Sequence, residues 1–260
     1  MEPLYVVKIG GNIVDNPVLL TECLQAFATI QGQAILVHGG GKLATSIAQK
    51  MGIEQTMIEG RRVTDLETLK IVTMVYAGNI NKNIVAQLQS NGVNAIGLTG
   101  ADGNLIQAHR RIHDTIDYGF VGDVDQVNQV LIQSLLSNGM KLVVAPITHD
   151  GQGQLLNTNA DTIAQSIAVA MAAQYSVHLI YGFEKEGVLL DVNNPSSIIA
   201  KIDQPSYAKL KEDKIIFEGM VPKIDNAYLA LAGGVQSVII GSAEKMNELI
   251  NGTAGTTIKI

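Results

Sequence analysis

Short apolar runs alternate with amphipathic segments along most of this chain. Runs rich in Val, Ile and Leu predict β-strands near residues 4–9, 33–37, 94–98, 141–147, 177–181 and 235–240. Helical spacing of apolar residues predicts helices near 17–30, 41–51, 65–90, 125–137, 159–173, 205–212, 219–232 and 243–250. Strands that are apolar on both faces are typical of a parallel sheet covered by helices. The pattern therefore predicts an α/β fold, a three-layer αβα sandwich around a mostly parallel central sheet.

Polar stretches with turn-forming glycines interrupt this alternation at residues 53–64, 99–123 and 149–157. Ligands of such sheets bind beyond the carboxyl ends of the strands, so we expect these stretches to form a rim or lid over a site. A length of 260 residues allows one or two domains. We place a boundary near residue 173 and expect two lobes, 1–173 and 174–260.

The segment 65–90 carries apolar residues on more than one face, whereas a surface helix needs a single apolar stripe. These residues are Leu66, Leu69, Ile71, Val72, Met74, Val75 and Tyr76. Such an excess is typical of a helix that is fully buried or that packs against another subunit. We favour the subunit interface.

Composition and charge narrow the classes of function. Hydrophobic residues make up 47% and charged residues 16% of the chain, which is typical of a packed globular protein. The net charge of −6 and the absence of basic runs longer than two residues make nucleic acid or an anionic membrane an unexpected partner. No apolar run reaches the ~20 residues of a membrane helix. With one cysteine, Cys23, and no basic leader at Met1, we expect a cytoplasmic protein.

Two glycine clusters, each after a predicted strand, are the strongest chemical signal. Lys8-Ile9-Gly10-Gly11 follows the first strand, and His38-Gly39-Gly40-Gly41-Lys42 follows the second. Glycine lets the backbone approach a ligand closely, and N–H groups at a helix start attract anions. The sequence therefore predicts a pocket for phosphate or carboxylate, with Lys8 at its mouth.

Several common nucleotide and hydrolase motifs are absent from the sequence. Gly41-Lys42 is followed by Leu43, so there is no G-x-x-x-x-G-K-[ST] loop. There is also no G-x-G-x-x-G in a dinucleotide-binding context and no G-x-S-x-G elbow. These absences disfavour a P-loop ATPase, a Rossmann dehydrogenase and a serine hydrolase.

Three further segments contain candidate ligand-binding side chains. Arg62 precedes a helix start, where its guanidinium could grip a carboxylate or cap its own loop. Asn159 suits an N-cap and Asp161 the first turn of the next helix, which leaves Asn157 to bind a ligand. Lys223 lies in the first turns of another helix, where a lone lysine is usually solvated.

In this order, the motifs resemble those of the amino acid kinase family. They are K-x-G-G at 8–11, H-G-G-G at 38–41, G-x-R-V-T-D at 60–65, N-x-N-A-D at 157–161 and G-M-x-x-K at 219–223. The resemblance extends from residue 4 to Ile260. It implies transfer of the γ-phosphoryl group of ATP to the side-chain carboxylate of N-acetyl-L-glutamate, or of a close N-acyl-glutamate such as N-succinyl-L-glutamate, in arginine biosynthesis. It also implies Mg²⁺ bound through the nucleotide phosphates and no protein-held metal.

The resemblance also assigns roles to residues. Lys8 and Lys223 would stabilise the transferred phosphoryl group, and Asp161 would orient the two lysines. Gly10 and Gly11 would offer N–H groups to the phosphoryl oxygens. The acyl-glutamate site would consist of Gly40, Gly41, Arg62 and Asn157, with Arg62 on the α-carboxylate. The nucleotide would lie on the second lobe at Gly182, Phe183, Gly187, Ile215, Ile216 and Phe217, although the 182–187 loop departs from the family's shorter turn.

Two alternatives stay open at this point. One is a carrier-linked aminoadipate kinase of lysine biosynthesis, and the other is a non-catalytic ligand-binding relative. Arginine-inhibited members of the family carry a helix before the first strand. This sequence begins at the strand, so we expect a homodimer without arginine feedback.

Overall fold

The computed structural model describes residues 1–58, 61–191, 193–194, 196–216 and 220–260, with the backbone alone at Arg61. Gly60, Phe217 and Gly219, which belong to the predicted motifs, lie outside the described residues.

Strands in this part of the chain supply one large sheet and two smaller ones. They are β1 (Pro3–Ile9), β2 (Gln33–His38), β3 (Met57–Ile58), β4 (Arg61–Arg62), β5 (Ala95–Leu98), β6 (Ile106–Arg110), β7 (Val121–Val127), β8 (Lys141–Val144), β9 (Ile147–His149), β10 (Leu155–Thr158), β11 (Ser176–Phe183), β12 (Lys201–Ile202), β13 (Ser237–Ser242) and β14 (Thr256–Ile258). The large sheet has the order β12-β14-β13-β11-β1-β2-β8-β5. It is parallel from β13 to β5, and β14 is antiparallel to β13. The expected mostly parallel sheet is confirmed.

Helices cover both faces of this sheet. They are α1 (Gly11–Val14), α2 (Pro17–Ala28), α3 (Gly41–Lys50), α4 (Leu66–Thr73), α5 (Asn81–Ser90), α6 (Gln129–Ser137), α7 (Ala160–Met171), α8 (Gln204–Glu212), α9 (Val221–Ala232) and α10 (Met246–Ile250). Val6 and Val7 on β1 point to opposite faces, and each joins a separate buried core. One core includes residues of α7 and α9, and the other includes residues of α2 and α5. The three-layer arrangement is thereby confirmed.

The polar stretches form two small β structures beside the sheet. β6, β7, β9 and β10 close into a four-stranded barrel, and β3 pairs with β4 in a short antiparallel ribbon. Two backbone hydrogen bonds connect the barrel to the segment just before α4. The N–H of Thr64 donates to the carbonyl of Tyr118, and the N–H of Phe120 donates to the carbonyl of Thr64. This contact brings Arg62 close to the barrel strands.

The predicted helix over 65–90 is continuous but changes its winding. A π-helical segment, Met74–Ile80, connects α4 to α5. Five of the seven apolar residues named above are buried, while Leu66 is 50% and Met74 55% exposed. Most of the apolar excess therefore lies in the core of this chain itself.

Two predicted boundaries are wrong. The helix predicted from 125 begins at Gln129, because β7 continues to Val127 and Asn128 caps the helix through the N–H of Leu131. The strand predicted over 141–147 ends at Val144, since Pro146 has no N–H to donate to a ladder. After this break, β9 turns into the barrel.

The expected boundary near residue 173 falls in the short connection between α7 and β11. Strands from both sides of it share the large sheet, with β1 paired to β11. Within the described residues, no helix is long and apolar enough to span a membrane.

Candidate functional site

The two glycine turns touch each other at the carboxyl ends of β1 and β2. A Cβ added at Gly39 would lie 3.2 Å from the backbone nitrogen of Gly11, and one added at Gly11 would lie 3.4 Å from the nitrogen of Gly41. Real Cβ atoms rarely approach other atoms this closely, so glycine permits the contact between these backbones. The turns form a single wall at the position where the sequence predicts a pocket, and α3 starts from it.

A buried histidine forms a hydrogen bond with the backbone of the second glycine turn. His38 is fully buried, with Nδ1 at 2.8 Å from the carbonyl oxygen of Gly39. Asn81 donates from its amide nitrogen to Nε2 of His38 and to the carbonyl of Val143, at 3.3 and 3.0 Å. These partners assign the neutral tautomer with the proton on Nδ1. Burial lowers the pKa of His38 to about 4, so the ring is uncharged at neutral pH.

Three charged side chains meet beside the first glycine turn. Nζ of Lys8 lies 2.6 Å from one carboxylate oxygen of Asp161, and Nζ of Lys223 lies 2.6 Å from the other. The side chains are 11%, 13% and 21% exposed for Lys8, Asp161 and Lys223. Lys8 is thus largely buried at the end of β1, where it lies between Val37 and Tyr181 in the sheet.

Electrostatics at this cluster follow from burial and pairing. Burial raises the pKa of Asp161, but the ammonium groups of Lys8 and Lys223 outweigh it and hold this pKa well below its usual range. Burial lowers the pKa of Lys8, and Asp161 opposes that effect. One carboxylate therefore keeps two cations close together, with one net positive charge beside the glycine turns.

Two neighbouring cavities open on this wall. The larger, of about 500 Å³, is lined by Lys8, Gly10, Gly11, Lys223 and Phe183, among others. The smaller, of about 200 Å³, is lined by Gly40, Gly41, Arg62 and Asn157, among others. Gly41, Met57 and Arg62 belong to both. The geometry can therefore hold two anionic ligands side by side, with the lysine pair in the larger cavity and the guanidinium of Arg62 between the two.

Arg62 is buried, and hydrogen bonds to the protein fix both of its terminal nitrogens. One of its terminal nitrogens donates to the carbonyl of Gly41 at 2.8 Å and to the hydroxyl of Thr45 at 2.9 Å, and the other donates to Gln55. The guanidinium therefore bridges the second glycine turn and the β3–β4 ribbon. These hydrogen bonds leave the N–H of Nε and one proton of the other terminal nitrogen for a ligand, and the guanidinium keeps its positive charge at the boundary of the two cavities.

Asn159 caps α7, as the sequence predicts, and Asn157 lies in the wall of the smaller cavity. The side chain of Asn159 accepts hydrogen bonds from the N–H groups of Asp161 and Thr162, at 2.8 and 3.2 Å, and so caps α7. This cap fixes the start of the helix that carries Asp161. Asn157 lines the smaller cavity, where its amide nitrogen donates to Thr64 at 3.0 Å.

The predicted nucleotide residues lie in different surroundings. Phe183 lines the larger cavity together with Lys223. Gly182 and Gly187 pack inward, where an added Cβ would lie 3.0 Å from Met246 and 2.7 Å from the hydroxyl of Thr256. Ile215 and Ile216 follow α8 and pack on the core, with Ile216 buried. Phe217 lies outside the described residues.

Several cavity residues were missed by the sequence reasoning. The larger cavity also contains Asn12, Lys42 and Thr45, and the smaller contains Tyr76 and Arg111. The sequence does point to Lys42, because it directly follows the glycine run 39–41. Arg111 also stands out in the sequence, as part of the basic pair Arg110-Arg111. Its position in the cavity depends on the barrel, which the sequence pattern does not predict.

Comparisons with known proteins agree with this geometry. The model of the amino acid kinase family matches residues 3–242. A protein from Cytophaga hutchinsonii named acetylglutamate kinase is 54% identical, covering 99% of each chain. Another of that name from Parabacteroides distasonis is 52% identical over 95% of this chain and 97% of its own. The crystal structure of smu.665 from Streptococcus mutans superposes with a TM-score of 0.79 at 28% identity, covering 99% of this chain and 98% of that one.

Proposed function

Because this chain belongs to the amino acid kinase family, we propose that it transfers the γ-phosphoryl group of ATP to the side-chain carboxylate of N-acetyl-L-glutamate or a close N-acyl analogue. The product is an acyl phosphate, and the reaction is a step of arginine biosynthesis. The observation that carries the proposal is the pair of lysines on one carboxylate, beside two adjoining cavities.

In this proposal the acyl-glutamate occupies the smaller cavity. Arg62 grips the α-carboxylate, while Asn157 and the backbone at Gly40 and Gly41 hold the rest of the molecule. This leaves the side-chain carboxylate directed at the larger cavity. A carboxylate is ionised at neutral pH, so the nucleophile needs no general base.

The nucleotide phosphates occupy the larger cavity. An oxygen of the substrate carboxylate attacks the γ-phosphorus, the bond to the β–γ bridging oxygen breaks, and ADP leaves with that electron pair. Lys8 and Lys223 offset the negative charge on the transferred group from two directions, and Asp161 holds both ammonium groups in place. N–H groups of Gly10 and Gly11 donate to the phosphoryl oxygens.

Mg²⁺ fits this arrangement as a partner of the nucleotide. It keeps several water ligands and binds through substrate phosphates with few protein carboxylates. The carboxylate of Asp161 is taken by two lysines, and the acidic residue among those lining the larger cavity is Glu184. When bound through the phosphates, Mg²⁺ supplies further positive charge against the β- and γ-phosphates.

The nucleotide base lies on the half formed by residues 174–260, near Phe183 and Ile215, while residues 1–173 hold the acyl-glutamate. We place the enzyme in the cytoplasm, where its single cysteine stays reduced. We further propose a homodimer through two half-exposed residues, Leu66 at the start of α4 and Met74 at the start of the π-helical segment that follows it.

The two alternatives are less well supported. A carrier-linked aminoadipate kinase is not favoured, since the relatives at 54% and 52% identity bear the acetylglutamate kinase name. A non-catalytic relative needs no lysine pair, whereas Lys8, Asp161 and Lys223 are all present and in contact.

A hydroxylamine-trap assay with ATP and Mg²⁺ tests the function. We expect acyl phosphate from N-acyl-L-glutamates and none from free L-glutamate at the same concentration. Turnover of free glutamate alone would overturn the substrate class, and the absence of acyl phosphate from every acyl-glutamate would overturn the function.

A further inference from the structure

The wall of the smaller cavity contains a second arginine, Arg111, which the function proposed above leaves without a task. Its side chain is only 13% exposed. In the proposed pose, the α-carboxylate pairs with Arg62 and the side-chain carboxylate faces the phosphoryl group. An N-acetyl group is neutral and needs no cation. The cavity therefore has one guanidinium more than N-acetyl-L-glutamate requires.

The register of the barrel strands directs Arg111 into this cavity. The backbone N–H of Arg111 donates to the carbonyl of Val121 at 2.7 Å, which continues the pairing of Arg110 with Gly122. Val121 in turn pairs with Asn157 on β10. Directly opposed residues share one face of a sheet. Arg111 thus lies two strands from Asn157, about 10 Å away along the same cavity wall.

The guanidinium of Arg111 is fixed with one edge open. Its Nε and one terminal nitrogen contact the carboxylate of Asp123, with Nε at 3.0 and 3.1 Å from the two oxygens. The ring of Tyr118 lies 5.7 Å from the guanidinium carbon. No acceptor among the described residues takes the protons of the other terminal nitrogen, Nη1. A guanidinium has five N–H groups, so the protons on Nη1 of Arg111 remain to bind a ligand.

We propose that the cavity accepts an N-acyl group that ends in a carboxylate, as in N-succinyl-L-glutamate, and that Arg111 binds this third carboxylate. This inference rests on the proposed function and specifies the acyl group of its substrate. The succinyl chain is longer than acetyl by one methylene and a carboxylate, so it extends from the substrate nitrogen toward the far wall. Arg62 and Arg111 then bind the two anionic ends that take no part in the reaction.

Steady-state kinetics with three substrates test this proposal: N-acetyl-, N-butyryl- and N-succinyl-L-glutamate. The butyryl group matches most of the length of succinyl without its charge. We expect kcat/KM for N-succinyl-L-glutamate to exceed that for either neutral substrate by at least 10-fold, since a hydrogen bond to a charged group contributes about 10- to 100-fold in binding. The wild-type comparison needs no variant and so cannot be confused with misfolding.

Arg111→Gln then identifies the group responsible. We expect the ratio of kcat/KM for N-succinyl over N-butyryl substrate to fall at least 10-fold. Arg110→Gln is the matched control, because Arg110 is the neighbouring residue, is half exposed and pairs with Asp117 outside the cavity. That variant keeps the wild-type ratio. A merely structural role of Arg111 would lower kcat/KM for all three substrates and leave the ratio unchanged.

The outcomes separate the two proposals. Turnover of N-acetyl-L-glutamate with equal or weaker use of N-succinyl-L-glutamate overturns the role of Arg111 and leaves the kinase function intact. An unchanged ratio in Arg111→Gln overturns it as well. Absence of acyl phosphate from all three substrates overturns the kinase function and this inference together.

Discussion

Lys8 and Lys223 come from opposite ends of the chain, yet their ammonium groups contact the two oxygens of one carboxylate, Asp161, at 2.6 Å each. Neither lysine is placed by local sequence. Lys8 lies near the carboxyl end of β1, an inner strand of the sheet, and Lys223 lies in the first turn of α9. The carboxylate between them holds two like charges together, which is the arrangement that transfer of an anionic phosphoryl group to an anionic acceptor requires.

Asp161→Asn tests that carboxylate. Without it two neighbouring ammonium groups lose their shared partner, so we expect kcat to fall by about 10²- to 10³-fold. We also expect the free energy of unfolding to fall by about 3 kcal/mol, because breaking a buried ion pair leaves uncompensated charge. Urea unfolding and the hydroxylamine-trap assay measure the two effects.

Asp117→Asn is the control for Asp161→Asn, since Asp117 pairs with Arg110 on the surface with 79% of its side chain exposed. This variant should keep kcat and unfold at nearly the same urea concentration as wild type, because an ion pair exposed to water contributes little to stability. Equal loss in both variants would contradict a special role for Asp161.

Two glycine substitutions separate folding from phosphate binding. Gly40 has φ +154°, and a Cβ there would overlap Ile80, so Gly40→Ala should cost about 2–4 kcal/mol of stability. Gly10 has the ordinary φ of −78°, and a Cβ there would meet only Nζ of Lys8, at 3.9 Å. We expect the free energy of unfolding of Gly10→Ala to lie within about 1 kcal/mol of the wild-type value. We also expect its kcat/KM for ATP to fall, because the added methyl group takes the place of a phosphoryl oxygen.

The comparison needs denaturant unfolding and nucleotide kinetics on both variants. A Gly10→Ala enzyme with wild-type kinetics would contradict the phosphate site at the first turn. A Gly40→Ala protein as stable as wild type would contradict the close packing of the second turn on Ile80.

His38 predicts a pH dependence of stability. The pKa of His38 in the folded protein is about 4, below the ordinary value of 6.5. Between these two pH values the unfolded chain therefore binds a proton on this ring and the folded protein does not. Stability is full above pH 6.5 and falls as the pH drops from 6.5 toward 4. At pH 5 the loss from this residue is about 2 kcal/mol relative to pH 7.5.

Urea unfolding of wild type and His38→Gln at both pH values measures this contribution. His178, whose pKa burial also lowers, contributes in the same direction in both proteins, so the difference between them isolates His38. Identical pH dependence of the two proteins would contradict a neutral, buried His38.

The dimer proposal predicts a change of mass. We expect sedimentation velocity to show a dimer of the wild-type chain and a monomer of the Leu66→Glu/Met74→Glu double variant, because both apolar side chains are half exposed, one at the start of α4 and one at the start of the π-helical segment. Val18→Glu, at an apolar position of α2 that is 65% exposed, should stay dimeric. A wild-type monomer, or a double variant that stays dimeric, would contradict the interface.

The sequence predicts the sheet and the two glycine turns because both are local: apolar strands end in glycine at Gly10 and Gly39. It also predicts the cap at Asn159 for the same reason. It misses the barrel, since β9 and β10 are only three and four residues long and the pairings that close the barrel, β10 with β7 and β6 with β9, join residues far apart in the sequence. Arg111 was missed for that reason, because only the barrel register brings it beside Asn157.

The most direct test of the account is kcat for Lys8→Met and Lys223→Met, measured at saturating ATP with the acyl-glutamate that the wild-type enzyme uses best. Circular dichroism and thermal unfolding would establish that each variant is folded. The account predicts that each folded variant loses kcat by about 10²- to 10³-fold, because each removes one of the two cations beside the transferred group. A kcat within about threefold of wild type in either folded variant would contradict it.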